Sequence, residues 1–107
     1  MIILGNALSL QMLDITKDNV LKTKPLTNAD VKRILLKNSW QSAIGHPDTA
    51  NVLTDMLGIV VPMNRVNVKI TKDTTLIVAQ IIGGRLPAGC TTLPDGIEIK
   101  WVQVNVE

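Results

Sequence analysis

The sequence predicts an α/β fold in which a mixed central sheet of about five strands is flanked by helices. Aliphatic residues dominate an apolar fraction of 46%, whereas aromatic residues make up only 2% of the chain. Short apolar runs alternate with two stretches of helical periodicity, which is typical of this class. The length of 107 residues suits one domain with one core, so residues 1–107 are assigned to a single domain.

The first third of the chain is predicted to hold two strands and a helix. Residues 2–8 are apolar enough for a strand covered on both faces. Residues 19–24 alternate as an edge strand would. Thr27, followed three places later by Asp30, is typical of a helix start and predicts a helix over residues 28–37.

A histidine turn lies near the middle of the chain. Gly45 permits a tight turn or the close approach of a ligand. Pro47 suits the first turn of a helix, because the N–H that it lacks would have no partner there. His46, the only histidine, is therefore predicted to be the N-cap residue of a helix over residues 47–57.

Other strands are predicted over residues 65–70, 75–82 and 97–106, while residues 40–44 form either a short strand or an extended entry to the histidine turn. The run at 75–82 is nearly unbroken, which indicates a central strand. The apolar phase of the last strand shifts near Trp101, which predicts a β-bulge. Between them, residues 83–96 contain four glycines and two prolines and exclude regular structure. A loop of this length is either a functional lid or an idle surface loop.

The composition excludes several classes of function. The formal net charge of +2 is too small for sequence-independent binding to long nucleic acid. No apolar run has the length of a membrane span and no signal peptide is recognisable, so we expect a cytoplasmic protein without a membrane partner. Cys90, the single cysteine, can form no internal disulfide and fits no zinc pattern. We therefore expect neither a metal nor a cofactor and assign Cys90 no role.

The candidate site residues are polar groups near strand ends and at the histidine turn. A helix start attracts phosphate, and His46 placed there can exchange a proton near neutral pH. Asn6 and Ser9 follow the first strand, where side chains often face a ligand crevice. Arg65 and Arg85 carry the side chain best suited to bidentate phosphate contact. The set suits metal-free chemistry on a phosphodiester and equally suits simple phosphate binding, and a lone histidine at a helix start is more often a solvated surface residue.

The chain carries four recognisable motifs: Asn6-Ala-Leu-Ser9, Ser42-Ala-Ile-Gly-His-Pro-Asp-Thr-Ala50, Pro62-Met-Asn-Arg-Val-Asn-Val-Lys-Ile70 and Arg85-Leu-Pro-Ala-Gly89. In order and spacing they closely resemble those of the viral ring nucleases, also known as type III anti-CRISPR proteins. That family is found in archaeal viruses, phages and bacterial mobile elements. The histidine turn and the Met-Asn-Arg-Val segment are the most distinctive parts of a resemblance that covers nearly the whole chain.

The resemblance implies a homodimer, in the host-cell cytoplasm if viral, that cleaves cyclic tetra-adenylate and so silences type III CRISPR effectors. Attack by a 2′-hydroxyl would give linear di-adenylate ending in a 2′,3′-cyclic phosphate, without metal or cofactor. By position, His46 takes the family's role of general acid, Arg65 and Arg85 match its phosphate-binding arginines, and Ser9 matches a serine at its site.

The chain departs from the family's pattern in two places. Ala88 stands where many relatives carry a glutamate three residues after the loop arginine, and the segment before the last strand is shorter. The first departure keeps open a non-catalytic sink that holds cyclic oligonucleotides without cutting them. A small DNA-binding regulator of a mobile element is a further alternative, which the modest charge disfavours.

Overall fold

Five strands form one mixed sheet in the computed structural model, which describes all 107 residues. Its strands are β1 (Ile2–Gly5), β2 (Leu21–Leu26), β3 (Trp40–Ala43), β4 (Thr75–Ile82) and β5 (Glu98–Val106). They lie in the order β2-β5-β4-β1-β3. The strand β1 pairs in parallel with β3 and β4, and β5 pairs antiparallel with β4 and β2. The predicted mixed sheet, its central strand β4 and its edge strand β2 are confirmed.

Two helices begin and end where the sequence predicts: α1 (Asn28–Lys37) and α2 (Pro47–Leu57). Thr27 and Asp30 form a reciprocal capping box at the start of α1. Gly58 ends α2 in the left-handed conformation, with φ of 66°. Neither helix is long and apolar enough to cross a membrane.

The sheet is covered on both faces, but by different kinds of structure. Both helices pack on one face, where Leu53 of α2 and Val31 of α1 are buried with Ile77 of β4. The other face is covered by a short 3₁₀ helix (Leu10–Met12) and by the irregular chain that leads into β4. In that second layer Leu13 and Ile70 pack against β-strand residues, and the backbone N–H of Ile70 donates to the Met12 carbonyl at 2.8 Å.

The strand predicted at residues 65–70 is absent, because the segment packs on a face of the sheet and β4, the next strand along the chain, is already paired on both sides by β1 and β5. Its alternation instead reports which side chains face the sheet: Val68 and Ile70 are buried, whereas Val66 is 43% exposed. Residues 72–73, between this segment and β4, form a turn that joins no hairpin. The first strand is also shorter than predicted, since β1 ends at Gly5.

The predicted bulge near Trp101 is wrong, because the pairing of β5 with both neighbours runs without interruption. Trp101 is buried in the core beneath the helices, while Val104 is buried in the core on the opposite face. The apolar phase shifts because one strand contributes to two cores. Residues 83–96 contain no helix or strand, as predicted, and they connect β4 to β5.

Candidate active site

The carboxyl ends of the three parallel strands meet at one edge of the sheet. Asn6 follows β1, the turn of Gly45 and His46 follows β3, and the loop of residues 83–96 follows β4. In α/β sheets this edge is where ligand crevices form. The topology therefore gathers candidate residues from three separate segments of the chain.

His46 caps the start of α2 only with its backbone. Its carbonyl accepts the N–H of Ala50 at 3.1 Å, whereas its side chain makes no capping hydrogen bond. The backbone N–H groups of Asp48 and Thr49 have no acceptor in the protein. Because the imidazole is exposed, the start of α2 presents free donors and a free imidazole together.

His46 lines two neighbouring cavities. The larger, of about 480 Å³, is formed with Arg85 and Leu86 of the loop and with Asp48 and Thr49 of α2. The smaller, of about 200 Å³, is formed with Arg65 and with residues that follow β1 and β3. His46 is thus shared by a cavity that contains Arg85 and a cavity that contains Arg65.

Both of these arginines are free of ion pairs. The protein contains one salt bridge, between Arg33 and Asp30 on α1 at 2.7 Å. Arg65 and Arg85 are exposed and have no carboxylate partner. Their guanidinium groups therefore remain available to an anion that enters either cavity.

Arg65 reaches the histidine turn because a strap of chain is fastened beside β3. The N–H of Asn64 donates to the Ile44 carbonyl at 2.8 Å, and its side chain donates to the Ser42 carbonyl at 2.7 Å. The Ser42 hydroxyl donates to the Pro62 carbonyl at 2.6 Å. This pairing extends the parallel edge beyond β3 and delivers Arg65 to the turn.

Gly45 and Asn6 shape the turn. Gly45 has no positive φ, so its backbone conformation does not require glycine. A Cβ there would lie 3.6 Å from Cγ of Arg65, so the glycine lets the Arg65 side chain pack close to the turn. The Asn6 side-chain oxygen accepts the Gly45 N–H at 3.2 Å and ties the end of β1 to the turn. Both residues line the smaller cavity.

Ser9 lies outside both cavities that His46 lines. Its hydroxyl accepts the N–H of Gln11 at 3.3 Å and caps the 3₁₀ helix. It lines a separate groove of about 420 Å³, which shares Met12, Val66 and Val68 with the smaller cavity. Of the sequence candidates, the structure groups five around the histidine turn and places Ser9 beside them: Asn6, Gly45, His46, Arg65 and Arg85.

The loop that carries Arg85 is held at its base and at its tip. Gly83 has a φ of 101°, and a Cβ there would overlap the Gly96 carbonyl, so only glycine closes the base. At the tip, the Asp48 carboxylate accepts the N–H of Gly89 at 3.1 Å. This contact fastens the loop to the first turn of α2.

Sequence reasoning overlooked two residues of the larger cavity, Asp48 and Thr49. Asp48 carries the only carboxylate among the residues that line either cavity. Its hydrogen-bond partner Gly89 lies next to Ala88 in a turn of the loop. The positions of Asp48 and Thr49 one and two residues after Pro47, in the first turn of α2, were the available signal. The free backbone N–H groups in the first turn of a helix favour anions, so residues of this turn are candidates for a binding site.

Comparisons with known proteins agree with this fold. A family model described as STIV B116-like matches residues 2–104. Uncharacterized protein 26 of Sulfolobus islandicus filamentous virus (isolate Iceland/Hveragerdi) is 33% identical over 73 residues, or 68% of this chain, and the match spans 61% of that protein's length. The structure of B116 of Sulfolobus turreted icosahedral virus superposes with a TM-score of 0.78 at 24% identity, covering 97% of each chain, and shows the same fold.

Proposed function

The chain belongs to the STIV B116-like family, and from that premise we propose that it is a metal-independent ring nuclease that cleaves cyclic tetra-adenylate. One observation carries the proposal: His46 lines two adjoining cavities, each of which holds an arginine without an ion pair. A proton donor between two anion-binding groups suits a phosphodiester. Cleaving the ring would switch off type III CRISPR signalling.

The substrate supplies its own nucleophile. Each ribose carries a 2′-hydroxyl beside the phosphodiester, so the protein needs only to align that oxygen with phosphorus. The 2′-oxygen–phosphorus bond forms, the bond from phosphorus to the 5′-oxygen breaks, and the hydroxyl proton passes to water. The product is a linear oligonucleotide that ends in a 2′,3′-cyclic phosphate.

His46, Arg65 and Arg85 have different roles in the proposed reaction. His46 protonates the departing 5′-oxygen, a contribution of about 10²–10⁴-fold in rate for general acid catalysis. Arg65 and Arg85 stabilise the negative charge that develops on the phosphate oxygens. The exposed position of the imidazole lets it recover a proton from water after each cut.

We propose that the protein acts as a homodimer. A twofold pair presents the same site twice, which suits a ring of four identical nucleotides. Cuts at opposite positions would release two linear di-adenylates. Light scattering of the purified protein should give twice the mass of the 11.6 kDa chain, and a monomeric mass at working concentration would contradict the dimer.

Incubation with cyclic tetra-adenylate, followed by separation of the products, tests the activity directly. We expect linear di-adenylate with a 2′,3′-cyclic phosphate, both in buffer and in excess EDTA. Binding without new products would favour the non-catalytic sink. Binding to duplex DNA, with no affinity for the ring, would favour the DNA-binding regulator.

A further inference from the structure

The strap that carries Arg65, residues 62–65, lies beside β3 with an incomplete ladder of backbone hydrogen bonds. The N–H of Asn64 donates to the Ile44 carbonyl at 2.8 Å, as one bond of the parallel bridge that extends the edge of the sheet. The next bond of a parallel ladder lies two residues earlier on each chain, from the N–H of residue 62 to the Ser42 carbonyl. Residue 62 is a proline, so the backbone cannot make this bond.

The side-chain amide of Asn64 supplies the missing donor. Its Nδ2 donates to the Ser42 carbonyl at 2.7 Å. One residue therefore makes two bonds to the edge of the sheet, one through its backbone and one through its side chain. Asn64 thus takes the place that the N–H of residue 62 would fill in a regular ladder.

Arg65 itself is not fastened. Residues 65–69 take part in no backbone–backbone hydrogen bond, and the chain is next buried at Val68. The Arg65 guanidinium is exposed and has no ion pair, so the position of the side chain depends on where the backbone places it. The strap brings Cγ of Arg65 to 3.6 Å from the point that a Cβ on Gly45 would occupy. The position of Arg65 in the smaller cavity therefore depends on the fastening at Asn64.

We propose that Asn64 is a positioning residue for Arg65: its side-chain amide supplies the donor that Pro62 lacks, and so holds the strap where Arg65 shares the smaller cavity with His46. The effect on catalysis rests on the proposed function, whereas the placement of Arg65 does not. Asn64 lines neither of the cavities that His46 lines. Its side chain therefore affects cleavage only through Arg65.

Asn64→Ala removes the donor, and Pro62→Ala returns one from the backbone. We expect Asn64→Ala to lower the single-turnover cleavage rate of cyclic tetra-adenylate about fivefold, the scale of one lost hydrogen bond. The double variant Pro62→Ala/Asn64→Ala has an N–H opposite the Ser42 carbonyl and should recover to within about twofold of the parent. In an Arg65→Ala background, Asn64→Ala should change the rate by less than about twofold, because the residue through which it acts is gone.

Asn38→Ala is the matched control. The Asn38 side-chain amide also donates to a backbone carbonyl, that of Ile34 at 2.8 Å, but it does so at the end of α1. We expect both substitutions to lower the melting temperature and only Asn64→Ala to slow cleavage. Equal losses of rate in the two variants would assign the effect to stability and overturn the proposal. A normal rate in Asn64→Ala, with normal cleavage by the parent protein, would overturn it while leaving the nuclease intact.

A measurement without substrate separates the two proposals if the parent protein does not cut the ring. NMR can follow the nuclear Overhauser contact between Gly45 Hα and Arg65 Hγ, together with hydrogen exchange of the backbone amide at position 64. We expect Asn64→Ala to lose the contact and to exchange this amide at least about tenfold faster, and the double variant to recover both. That result would sustain the positioning of Arg65 although the nuclease failed. An unchanged contact and exchange rate in Asn64→Ala would overturn it.

Discussion

The two helices of this protein begin in opposite ways. At the start of α1, the Thr27 hydroxyl accepts the N–H of Asp30 at 3.1 Å, and the Asp30 carboxylate accepts the N–H of Thr27 at 3.0 Å. At the start of α2, His46 offers no side-chain acceptor, and the N–H groups that follow stay free. One helix start is closed by its own sequence, while the other is left open beside a cavity.

The arginines follow the same division. Arg33 on α1 is bound to Asp30, whereas Arg65 and Arg85 at the open end of α2 have no carboxylate partner. A capped helix start adds stability, and an uncapped one leaves donors available to a ligand. The comparison indicates which of the two helix starts contributes to the fold and which is available for binding.

Among substitutions at the two helix starts, replacing His46 should have the largest effect on the cleavage rate. We expect His46→Ala to cut cyclic tetra-adenylate at least about a hundredfold more slowly, because the departing 5′-oxygen loses its proton donor. Single-turnover cleavage followed by chromatography measures the rate, and ring binding should persist. Near-normal turnover would exclude His46 as the general acid.

Removing the free guanidinium groups should have the next largest effect. Arg85→Ala and Arg65→Ala should each weaken binding or turnover by about tenfold, the scale of a lost hydrogen bond to a charged group. Arg33→Ala is the matched control, because its partner is Asp30 and it lines neither cavity. Equal effects of all three variants would show that only net charge matters.

Removing the N-cap of α1 should lower the stability of the protein without affecting its activity. Thr27→Ala should lower the free energy of unfolding by about 1 kcal/mol, the usual cost of losing an N-cap. Urea denaturation measures this change. The cleavage rate should equal that of the parent, and a large loss of activity would contradict the separation of the two helix starts.

Adding an N-cap side chain to α2 should have a smaller and opposite effect on stability. His46→Ser supplies a side-chain acceptor for the first turn, so the free energy of unfolding should rise by about 0.5 kcal/mol. Cleavage should be lost as in His46→Ala. A fall in stability would indicate that the imidazole itself supports the fold.

Acid should remove the contribution of Asp30 to the stability of the protein. Hydrogen bonding from Thr27, and then from Arg33, holds the pKa of the Asp30 carboxyl below its usual range. Because the folded-state pKa is the lower one, the contribution of Asp30 is present above about pH 4, the unfolded value, and is lost as pH falls through the folded value. The urea midpoints of Asp30→Asn and the parent should therefore differ near neutral pH and converge in strong acid, and a constant difference would contradict this role.

Much of the candidate site could be predicted from local sequence because its parts depend on neighbouring residues. The His46-Pro47 pair predicts the start of α2, and glycines and prolines predict the loop that carries Arg85. Asn64 could not be singled out in this way. Whether a side-chain amide finds a backbone partner depends on which carbonyls surround it after folding.

The segment at residues 65–70 illustrates the same limit within the fold. Its alternation predicts a strand, and the alternation does correspond to burial, but the segment packs on a face of the sheet and pairs with none of its strands. Hydrogen-bond partners in a sheet come from distant parts of the chain, so periodicity alone does not identify them.

The sequence by itself determined both helices with their ends, the central strand, the capping box and the irregular loop, because each depends on contacts a few residues apart. Only the tertiary structure decided that Arg65 and Arg85 flank His46, that Ser9 lies in a separate groove, and that β5 contributes to two cores. Those outcomes follow from the order of strands in the sheet, which brings segments as distant in sequence as Asn6 and Arg85 to the same edge.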